Sequence, residues 1–472
     1  MLLRQTFAYL PAQLVGPLAQ FVAVLAWTHW LAPADYGLIS LILAVQELAF
    51  LVGMSWWTHY TVRYLPALAD PEPYRRAEGA VMALCGLCQI PVMGLALGLT
   101  GHLDEPALVA ATLAFAVSRS LNSHLGERAR SLGDVVTYTI VQLTGPILGF
   151  GLGLALMAVA PGTTAVVAGF AVVQVAILPL LAGRLRLLNR ILLPVDGAIL
   201  RAAFGYGGPL LIAGGLGWLS VNGIRLVVEH GEGLVALGLL SVGWNLGQRL
   251  IAVVATLVTA AAFPLAVRQA AQGGTQAGID QIGRTAILLF GLLVPSAIGI
   301  AAITDPLIRA VVGAEFQDAT RLILPLAAAA ATIRNLRMHL ADQVFLIAEH
   351  PRSLLALNAA EAVLTMLLCV IGLLAGGLPG ACLGVLAGTT FCAVAGFAIA
   401  SLRYGLRLPL RDIAALTAAS VAMGLLVRLD VYPAENWGLA VQVAAGAAIY
   451  LLLAGLVMRP MIATILASRS KA

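Results

Sequence analysis

Charged residues are scarce in this sequence. They make up 10% of the chain, against 61% hydrophobic residues, and Lys471 is the sole lysine among 27 basic residues. A soluble globular domain is not this apolar. The apolar runs are also longer than the roughly 10 alternating residues of a barrel strand. Because only helices and closed barrels satisfy every backbone group in lipid, the composition predicts a polytopic helical membrane protein.

Motifs for catalysis and cofactor binding are also missing. The sequence has no glycine-rich loop followed by Lys and Ser or Thr, which P-loop ATPases need, and no Ser/His/Asp spacing stands out. All five cysteines lie in apolar runs, and Cys85 and Cys88 have no His or Cys partners nearby, which favours packing over metal or redox chemistry. We therefore expect no enzyme, no cofactor and no metal site. The net charge of +5 reflects loop topology, so no nucleic-acid partner is expected either.

Extramembrane domains are not expected, because the loops between the apolar runs are short. The longest cytoplasmic connection, 182–202, joins the sixth and seventh spans, and the far-side loop 305–319 has the mixed pattern of a short interfacial helix. Fourteen spans are predicted by length and hydropathy. Their approximate bounds are 5–31, 36–64, 77–99, 105–125, 134–159, 164–182, 203–227, 234–264, 280–304, 320–347, 353–375, 380–401, 411–429 and 437–458.

The basic residues divide unequally between the two sides of these spans. Nineteen fall on the side of the N-terminus and four on the opposite side, while the remaining four lie inside spans. Cytoplasmic loops carry the excess of arginine and lysine. Both termini are therefore predicted to be cytoplasmic.

The eighth span carries a polar stripe. Drawn as an ideal helix, the span places six polar residues on one stripe roughly 100° wide: Ser241, Asn245, Gln248, Arg249, Thr256 and Thr259. Arginine in lipid is costly, so the stripe must face protein or water. We expect it to line a solvated cavity. The alternative is a seam of interhelical hydrogen bonds in which Arg249 bonds a carbonyl.

The second span repeats this pattern. A shift of 201 positions aligns Ser40 with Ser241, Glu47 with Gln248, Ser55 with Thr256 and Thr58 with Thr259. Arg249 aligns with Leu48, so the cation belongs to one half only. The register indicates two homologous halves that each give a polar second helix to a shared centre. The first span adds Gln13 and Gln20 on one face.

The tenth span is the most polar. On an ideal helix, four of its residues share a stripe about 100° wide: Asn335, His339, Asp342 and Gln343. Arg334 lies at the border of the stripe, and His339 beside Asp342 suggests a proton-responsive pair. Arg337 falls on the opposite side, where we expect it to be paired or to bond another helix. The alternative is an intrahelical charge network that neutralises itself.

These patterns define the candidate site. The residues expected to line a cavity and bind substrate are Arg249, Gln248, Asn245, Ser241, Arg334, Asn335, Glu47, Ser40, Gln13 and Gln20. The residues expected to bind a coupling ion, a proton or sodium, are Asp342, His339, Glu47 and Glu361 of the eleventh span.

Three stretches resemble one family of transporters. Residues 25–66, with the turn LAPADYG, are similar to the first helix pair of polysaccharide flippases in the multidrug/oligosaccharidyl-lipid/polysaccharide exporter superfamily. Residues 218–250 resemble the seventh and eighth helices of that family, and residues 299–330 the region around its ninth and tenth. Many members carry an aspartate before the arginine that matches Arg225, and this chain has Ile224 there. An ion-linked role at that position is therefore not expected.

The resemblance implies a Wzx-type flippase of the bacterial cytoplasmic (inner) membrane. Its substrate would be an undecaprenyl-pyrophosphate-linked oligosaccharide for polysaccharide export, translocated by alternating access among the membrane lipids. The implied architecture is an all-α polytopic protein of about 14 transmembrane helices: a six-helix lobe (1–198), a second, pseudo-symmetric six-helix lobe (199–402) around a central cavity, and two additional helices with a cytoplasmic tail (403–472).

Two other functions fit the composition. A MATE-like drug or cation antiporter of the same superfamily predicts a cavity dominated by carboxylates, against which Arg249 and Arg334 argue. A membrane glycan polymerase or ligase needs a sizeable external loop for acceptor chemistry, and no predicted external loop exceeds about 15 residues, too short for a domain.

Overall fold

The computed structural model describes residues 15–16, 19, 21–68, 72–185, 196–429 and 437–458, without the side chains of residues 257 and 259–261. All regular secondary structure in these residues is helical. The helices are α1 (described over 21–27), α2 (Pro33–Ala67), α3 (Glu72–Leu99), α4 (Pro106–Ser131), α5 (Val135–Met157), α6 (Thr163–Arg184), α7 (197–232), α8 (234–273), α9 (Thr275–Ala302), α10 (314–347), α11 (351–375), α12 (378–404), α13 (Leu410–Val427) and α14 (Gly438–Val457).

The helices confirm the predicted fold class. Nine helical stretches of the described residues are long and apolar enough to cross a membrane, and two of these stretches are kinked pairs, α7–α8 and α11–α12. The helices α4 and α10 are not among these nine stretches, because both carry many polar side chains. A short helix, Thr304–Val311, occupies the loop where the sequence predicted one.

Glycines break the two kinked pairs. Gly233, between α7 and α8, has φ 81°, and Gly377, between α11 and α12, has φ 59°. Residues with a Cβ rarely adopt these left-handed conformations, so glycine allows each pair to be joined by a very short turn.

Three π turns interrupt the helices within the described residues. They lie at Leu51–Ser55 in α2, Gly145–Gly149 in α5 and Arg337–Ala341 in α10. A π turn bonds each N–H to the carbonyl five residues earlier, so it changes which side chains share a face.

The chain forms two compact units, Met1–Gly238 and Leu239–Ala472, here called unit 1 and unit 2. In unit 1, α4 packs against α2, α3, α5 and α6. In unit 2, α10 packs against α9 and against the α11–α12 pair, while α9 packs on α13 and α13 on α14. The predicted division into two lobes, 1–198 and 199–402, and two additional helices with a tail, 403–472, concerns the repeated halves and stays a prediction.

The starts of α2 and α8 make a pseudo-symmetric contact within unit 1. A Cβ on Gly37 would lie 2.0 Å from the carbonyl oxygen of Leu234, and a Cβ on Gly238 would lie 1.9 Å from that of Pro33. Both pairs are related by the 201-position shift of the sequence repeat. Glycine at the two equivalent positions therefore lets the repeated helices meet backbone to backbone.

Candidate functional site

The polar stripe of α8 changes character along the helix. Ser241 is buried, whereas Asn245, Gln248 and Arg249 are half-buried and Thr256 is exposed. Thr256 shares its exposed face with Ala252 and Val253, and the opposite face carries the buried residues Gly247, Ile251 and Ala255. The second half of the stripe thus lies on the surface of unit 2, on the face of α8 that the other helices of unit 2 do not cover.

Small residues fix α8 against α10. A Cβ on Gly247 would lie 2.7 Å from the Cβ of Ala327 and 2.8 Å from the backbone nitrogen of Ala328. Close backbone approach of this kind is typical of helix pairs in membranes. It places α8 beside the most polar helix of unit 2, with α10 on the face of α8 that is opposite the stripe.

Arg337 of α10 is the centre of a buried charged cluster, here called the Arg337 cluster. The guanidinium nitrogen Nη2 donates to Glu361 Oε2 at 2.8 Å and to Asn358 Oδ1 at 2.9 Å, and it lies 3.6 Å from Asp342 Oδ2. Arg337 and Glu361 are each 1% exposed. The prediction that Arg337 is paired is confirmed.

The π turn at Arg337–Ala341 corrects the predicted stripe of α10. On an ideal α-helix, residues five apart point about 140° away from each other, which placed Asp342 and Arg337 on opposite sides. A π turn brings residues five apart onto one face. Asp342 therefore contacts Arg337 and lies within the same cluster as Glu361.

The other polar residues of α10 lie elsewhere. His339 and Gln343 line a small cavity of about 20 Å³ with Thr285, large enough for about one water molecule. His339 thus does not pair with Asp342, contrary to the prediction. Arg334 interacts electrostatically with Glu361 and Asp342.

Asn335 of the predicted stripe bonds its own helix. Its side-chain amide donates to the carbonyl of Ala331 at 2.8 Å. That bond orders the side-chain amide on α10.

The site residues predicted in the first half are only partly described. In unit 1, Ser40 is buried and Glu47 is exposed on α2, while Gln13 and Gln20 lie outside the described residues. Whether these residues and those of α8 and α10 line one cavity stays a prediction.

A second buried cluster lies in unit 1, where the sequence patterns did not indicate one. Glu78 of α3 is fully buried, and its Oε1 accepts from Tyr74 Oη at 3.1 Å. The Nε2 of His124 and the Nε of Arg128, both in α4, each lie 3.0 Å from the same oxygen. Arg128 is in ion-pair contact there without hydrogen-bond alignment, and its Nη1 donates to the carbonyl of Leu185 at 3.4 Å. We call these residues the Glu78 cluster.

The Glu78 cluster extends to α2 through two threonines. The hydroxyl of Thr58 lies 3.0 Å from His124 Nδ1, and that of Thr61 lies 2.6 Å from Tyr74 Oη. Arg128 lies between the predicted fourth and fifth spans, and no sequence pattern singled out Glu78. The available signal was the i, i+4 spacing of Tyr74–Glu78 and His124–Arg128 at two neighbouring helix ends.

A buried amide and hydroxyl chain lies nearby in unit 1. Gln46 of α2 donates to Ser120 of α4 at 3.1 Å, and Ser120 donates to Gln89 of α3 at 3.0 Å. Ser120 is one helical turn from His124. The interior of α2, α3 and α4 is therefore polar over several turns.

Known proteins share this architecture. The polysaccharide biosynthesis protein family matches residues 99–321. The inward closed conformation of the lipid II flippase MurJ has a similar structure, with a TM-score of 0.69, 12% identity, and coverage of 98% of this chain and 100% of that one. The Vibrio cholerae MATE transporter VcmN is similar at a TM-score of 0.53 and 16% identity, over 86% of this chain and 98% of that one.

A further structural match names the superfamily. An inward-facing multidrug resistance MATE family transporter of the MOP superfamily is similar at a TM-score of 0.56 and 15% identity, over 82% of this chain and 94% of that one. No curated protein sequence matches the chain. The resemblance found in the sequence is confirmed: this is a polytopic helical membrane protein with the fold of MOP superfamily transporters, and residues 99–321 match the polysaccharide biosynthesis protein family.

Proposed function

We propose that the protein translocates a lipid-linked oligosaccharide, of the undecaprenyl-pyrophosphate type, across the bacterial cytoplasmic membrane for polysaccharide export. The observation that carries the proposal is the match of residues 99–321 to the polysaccharide biosynthesis protein family. The similarity of the whole chain to a lipid II flippase supports the same class of substrate. The solved structures that the chain resembles are a flippase and MATE transporters, which supports transport as the activity.

The cations of unit 2 suit an anionic headgroup. Arg249 is half-buried on the α8 stripe, and Arg334 is half-buried one turn before the Arg337 cluster. A guanidinium can donate two parallel hydrogen bonds to a phosphate, which favours Arg over Lys at such a site. In our proposal, Arg249 and Arg334 attract the pyrophosphate, and Gln248, Asn245, Ser241 and Asn335 bond the sugar.

The membrane orientation follows from the arginine distribution. The nineteen-to-four split of basic residues supports cytoplasmic termini. Alternating access by the two repeated lobes then moves the headgroup from the cytoplasmic to the external side. A coupling ion, a proton or sodium, would drive transport in one direction. The predicted groups that bind this ion are Asp342, His339, Glu47 and Glu361.

Substitution of Arg249 tests the proposal. Arg249→Ala should abolish export of the surface glycan at normal protein abundance, and Arg249→Lys should retain part of it, because the charge survives without the bidentate geometry. Arg309→Ala, which removes an exposed arginine of the short helix Thr304–Val311, serves as the control. If Arg249 only holds the fold, both substitutions lower protein abundance. Full export by a stably inserted Arg249→Ala protein would remove Arg249 from the substrate site.

A MATE-like antiporter remains the second candidate, because two of the similar structures are MATE transporters. It predicts that the protein expels cationic dyes and that Arg249→Ala does not reduce the expulsion. Dye efflux from cells that express the protein separates the two functions. Dye efflux without glycan export would favour the antiporter.

A further inference from the structure

We propose that Glu78 and His124 form a proton-binding site in unit 1, and that Thr58 couples its protonation to the π turn of α2. The inference rests on the proposed transport function, since a transporter driven by a proton gradient needs such a site. Neither residue belongs to the predicted substrate or coupling groups.

The hydrogen-bond partners of the two His124 nitrogens determine where a proton can bind. With His124 neutral, Nε2–H donates to Glu78 Oε1 at 3.0 Å, and Nδ1 accepts the hydroxyl proton of Thr58 at 3.0 Å. Adding one proton to Nδ1 reverses the second bond, because Nδ1–H then donates to Thr58 Oγ1. Both nitrogens of His124 are therefore bonded in both protonation states.

The hydroxyl of Thr58 has a second hydrogen-bond acceptor within reach. The carbonyl of Met54 lies 3.1 Å from Thr58 Oγ1. When Nδ1 becomes a donor, the Thr58 proton turns to this carbonyl. A hydronium ion thus gives its proton to His124 and leaves as water, and the only further change is a rotation of the Thr58 hydroxyl.

Met54 lies in the π turn Leu51–Ser55, where the backbone carbonyls depend on side-chain donors. Ser55 Oγ donates to the carbonyl of Leu51 at 2.5 Å, and Trp56 Nε1 donates to that of Gly53 at 2.9 Å. Thr58 is the third such donor: its hydroxyl can bond Nδ1 or the Met54 carbonyl while His124 is neutral, and the carbonyl alone once Nδ1 carries a proton. Protonation of His124 therefore fixes a hydrogen bond to a π turn, a feature that often marks functional positions in helices.

The oxygen Oε2 of Glu78 gives the cluster a second position for a proton. Glu78 is 0% exposed, and its Oε2 accepts no hydrogen bond within the described residues. A buried carboxylate oxygen without a donor is unfavourable. Arg128 neutralises Glu78 while His124 is uncharged, so the added proton is shared within a coupled acid–base pair.

The groups that face His124 come from three helices and one helix end. Helix α3 contributes Glu78 and Tyr74, α4 itself contributes Arg128, and α2 contributes the hydroxyl of Thr58. The end of α6 contributes the Leu185 carbonyl, which accepts from Arg128. Since His124 is 0% exposed, a proton reaches it only when these helices separate. Proton exchange is thereby linked to a change in conformation.

Histidine side-chain NMR of the purified protein in lipid nanodiscs tests the site directly. The chain has seven histidines, and His124→Gln assigns the signal of interest. We expect the His124 ring to change from the singly to the doubly protonated form as the pH is lowered, and Glu78→Gln to shift the pH at which it changes. His59→Gln, an exposed position one residue from Thr58, is the matched control and should leave the signal unchanged. A His124 signal that does not titrate overturns the proposal.

Transport measurements test the coupling. Gln at position 124 can still donate to Glu78 and accept from Thr58, so His124→Gln should fold and should lose the pH-dependent step of oligosaccharide translocation. Thr58→Val should keep the NMR titration but lose the same step, and Thr58→Ser should restore it. An unchanged pH profile in both His124→Gln and Thr58→Val overturns the coupling. Titration of His124 in a protein that translocates no lipid-linked oligosaccharide contradicts the proposed function and leaves the proton site standing.

Discussion

The two units carry buried charged clusters of opposite composition. In unit 1 one carboxylate, Glu78, faces two bases, His124 and Arg128. In unit 2 one base, Arg337, contacts two carboxylates, Asp342 and Glu361. Both clusters lie next to a π turn. The charges that the two units bury therefore differ although both clusters have a π turn beside them.

The two clusters differ in whether the central base can release and take up a proton. Arginine stays protonated at any physiological pH, so the Arg337 cluster holds a fixed charge that ties α10 to α11. Each of the two ring nitrogens of His124 can carry a proton, so the Glu78 cluster contains a group that can bind one. We therefore assign fixed charge pairing to Arg337 and propose a further proton-binding site in unit 1, in addition to the predicted coupling groups of unit 2.

The largest expected effect comes from removing the fixed charge of unit 2. Arg337→Met leaves two buried carboxylates without their partner, which costs about 3–5 kcal/mol. The combination of Arg337→Met, Asp342→Asn and Glu361→Gln removes all three charges and should recover most of that stability. Thermal unfolding in detergent measures both proteins. If Arg337→Met is as stable as the native protein, the Arg337 cluster does not stabilise the fold in this way.

The glycine contact between the repeated helices should respond symmetrically. Gly37→Ala and Gly238→Ala each place a Cβ about 2 Å from a carbonyl oxygen, so the helices must separate. Overpacking of this kind costs about 1–3 kcal/mol. Gly94→Ala, with no atom within 4 Å of the new Cβ, is the control. Unequal losses of thermal stability at positions 37 and 238 would contradict the pseudo-symmetric contact.

The phenol of Tyr74 allows a finer test of unit 1. Tyr74→Phe removes the hydroxyl that lies between Thr61 and Glu78 and keeps the ring stacked on Trp57. The expected loss is about 1 kcal/mol, the usual contribution of one buried hydrogen bond. Tyr64→Phe, at a partly exposed residue, should have no effect. Equal unfolding temperatures for Tyr74→Phe and the native protein would argue that Tyr74 does not stabilise the Glu78 carboxylate.

The smallest effect concerns Asp134, which caps the start of α5 outside the membrane-spanning segments. Partial burial raises the pKa of its carboxyl, but hydrogen bonds from Thr137 and the charge of Arg184 outweigh burial and hold the pKa below its ordinary value. The stabilisation is therefore present above the unfolded pKa, near 4, and is lost as the pH falls through the lower folded value. Asp134→Ala should lower stability at neutral pH by less than about 1 kcal/mol. It should also flatten the acid limb of a stability–pH curve. An acid limb as steep as that of the native protein would exclude this role.

Hydropathy and helical periodicity predicted the fold well because membrane spans are long and repetitive. The number of spans, the positions of their turns and the pairing of Arg337 follow from residue pattern alone. The π turn at Arg337–Ala341 does not, because a wheel drawn with 3.6 residues per turn assumes the regularity that the π turn breaks. The wheel therefore separated Asp342 from Arg337 and placed it beside His339.

The Glu78 cluster shows the other limit of sequence reasoning. Glu78 and His124 are 46 residues apart, and only helix packing brings them together. Near the ends of predicted spans, Arg128 and Glu78 have the pattern of ordinary interfacial charges. Their burial became visible only with the positions of α2, α3 and α4, since a helix end in the sequence carries no information about its depth in the fold.

Translocation by the purified protein tests the central claim most directly. The protein is reconstituted in liposomes that contain a polyprenyl-pyrophosphate-linked oligosaccharide, and a membrane-impermeant enzyme or lectin reports the fraction of glycan exposed outside. We predict that the native protein accelerates exposure of the glycan, that Arg249→Ala does not, and that a plain phospholipid is not translocated. Exposure no faster than in protein-free liposomes, or equal acceleration for the plain phospholipid, would contradict the account.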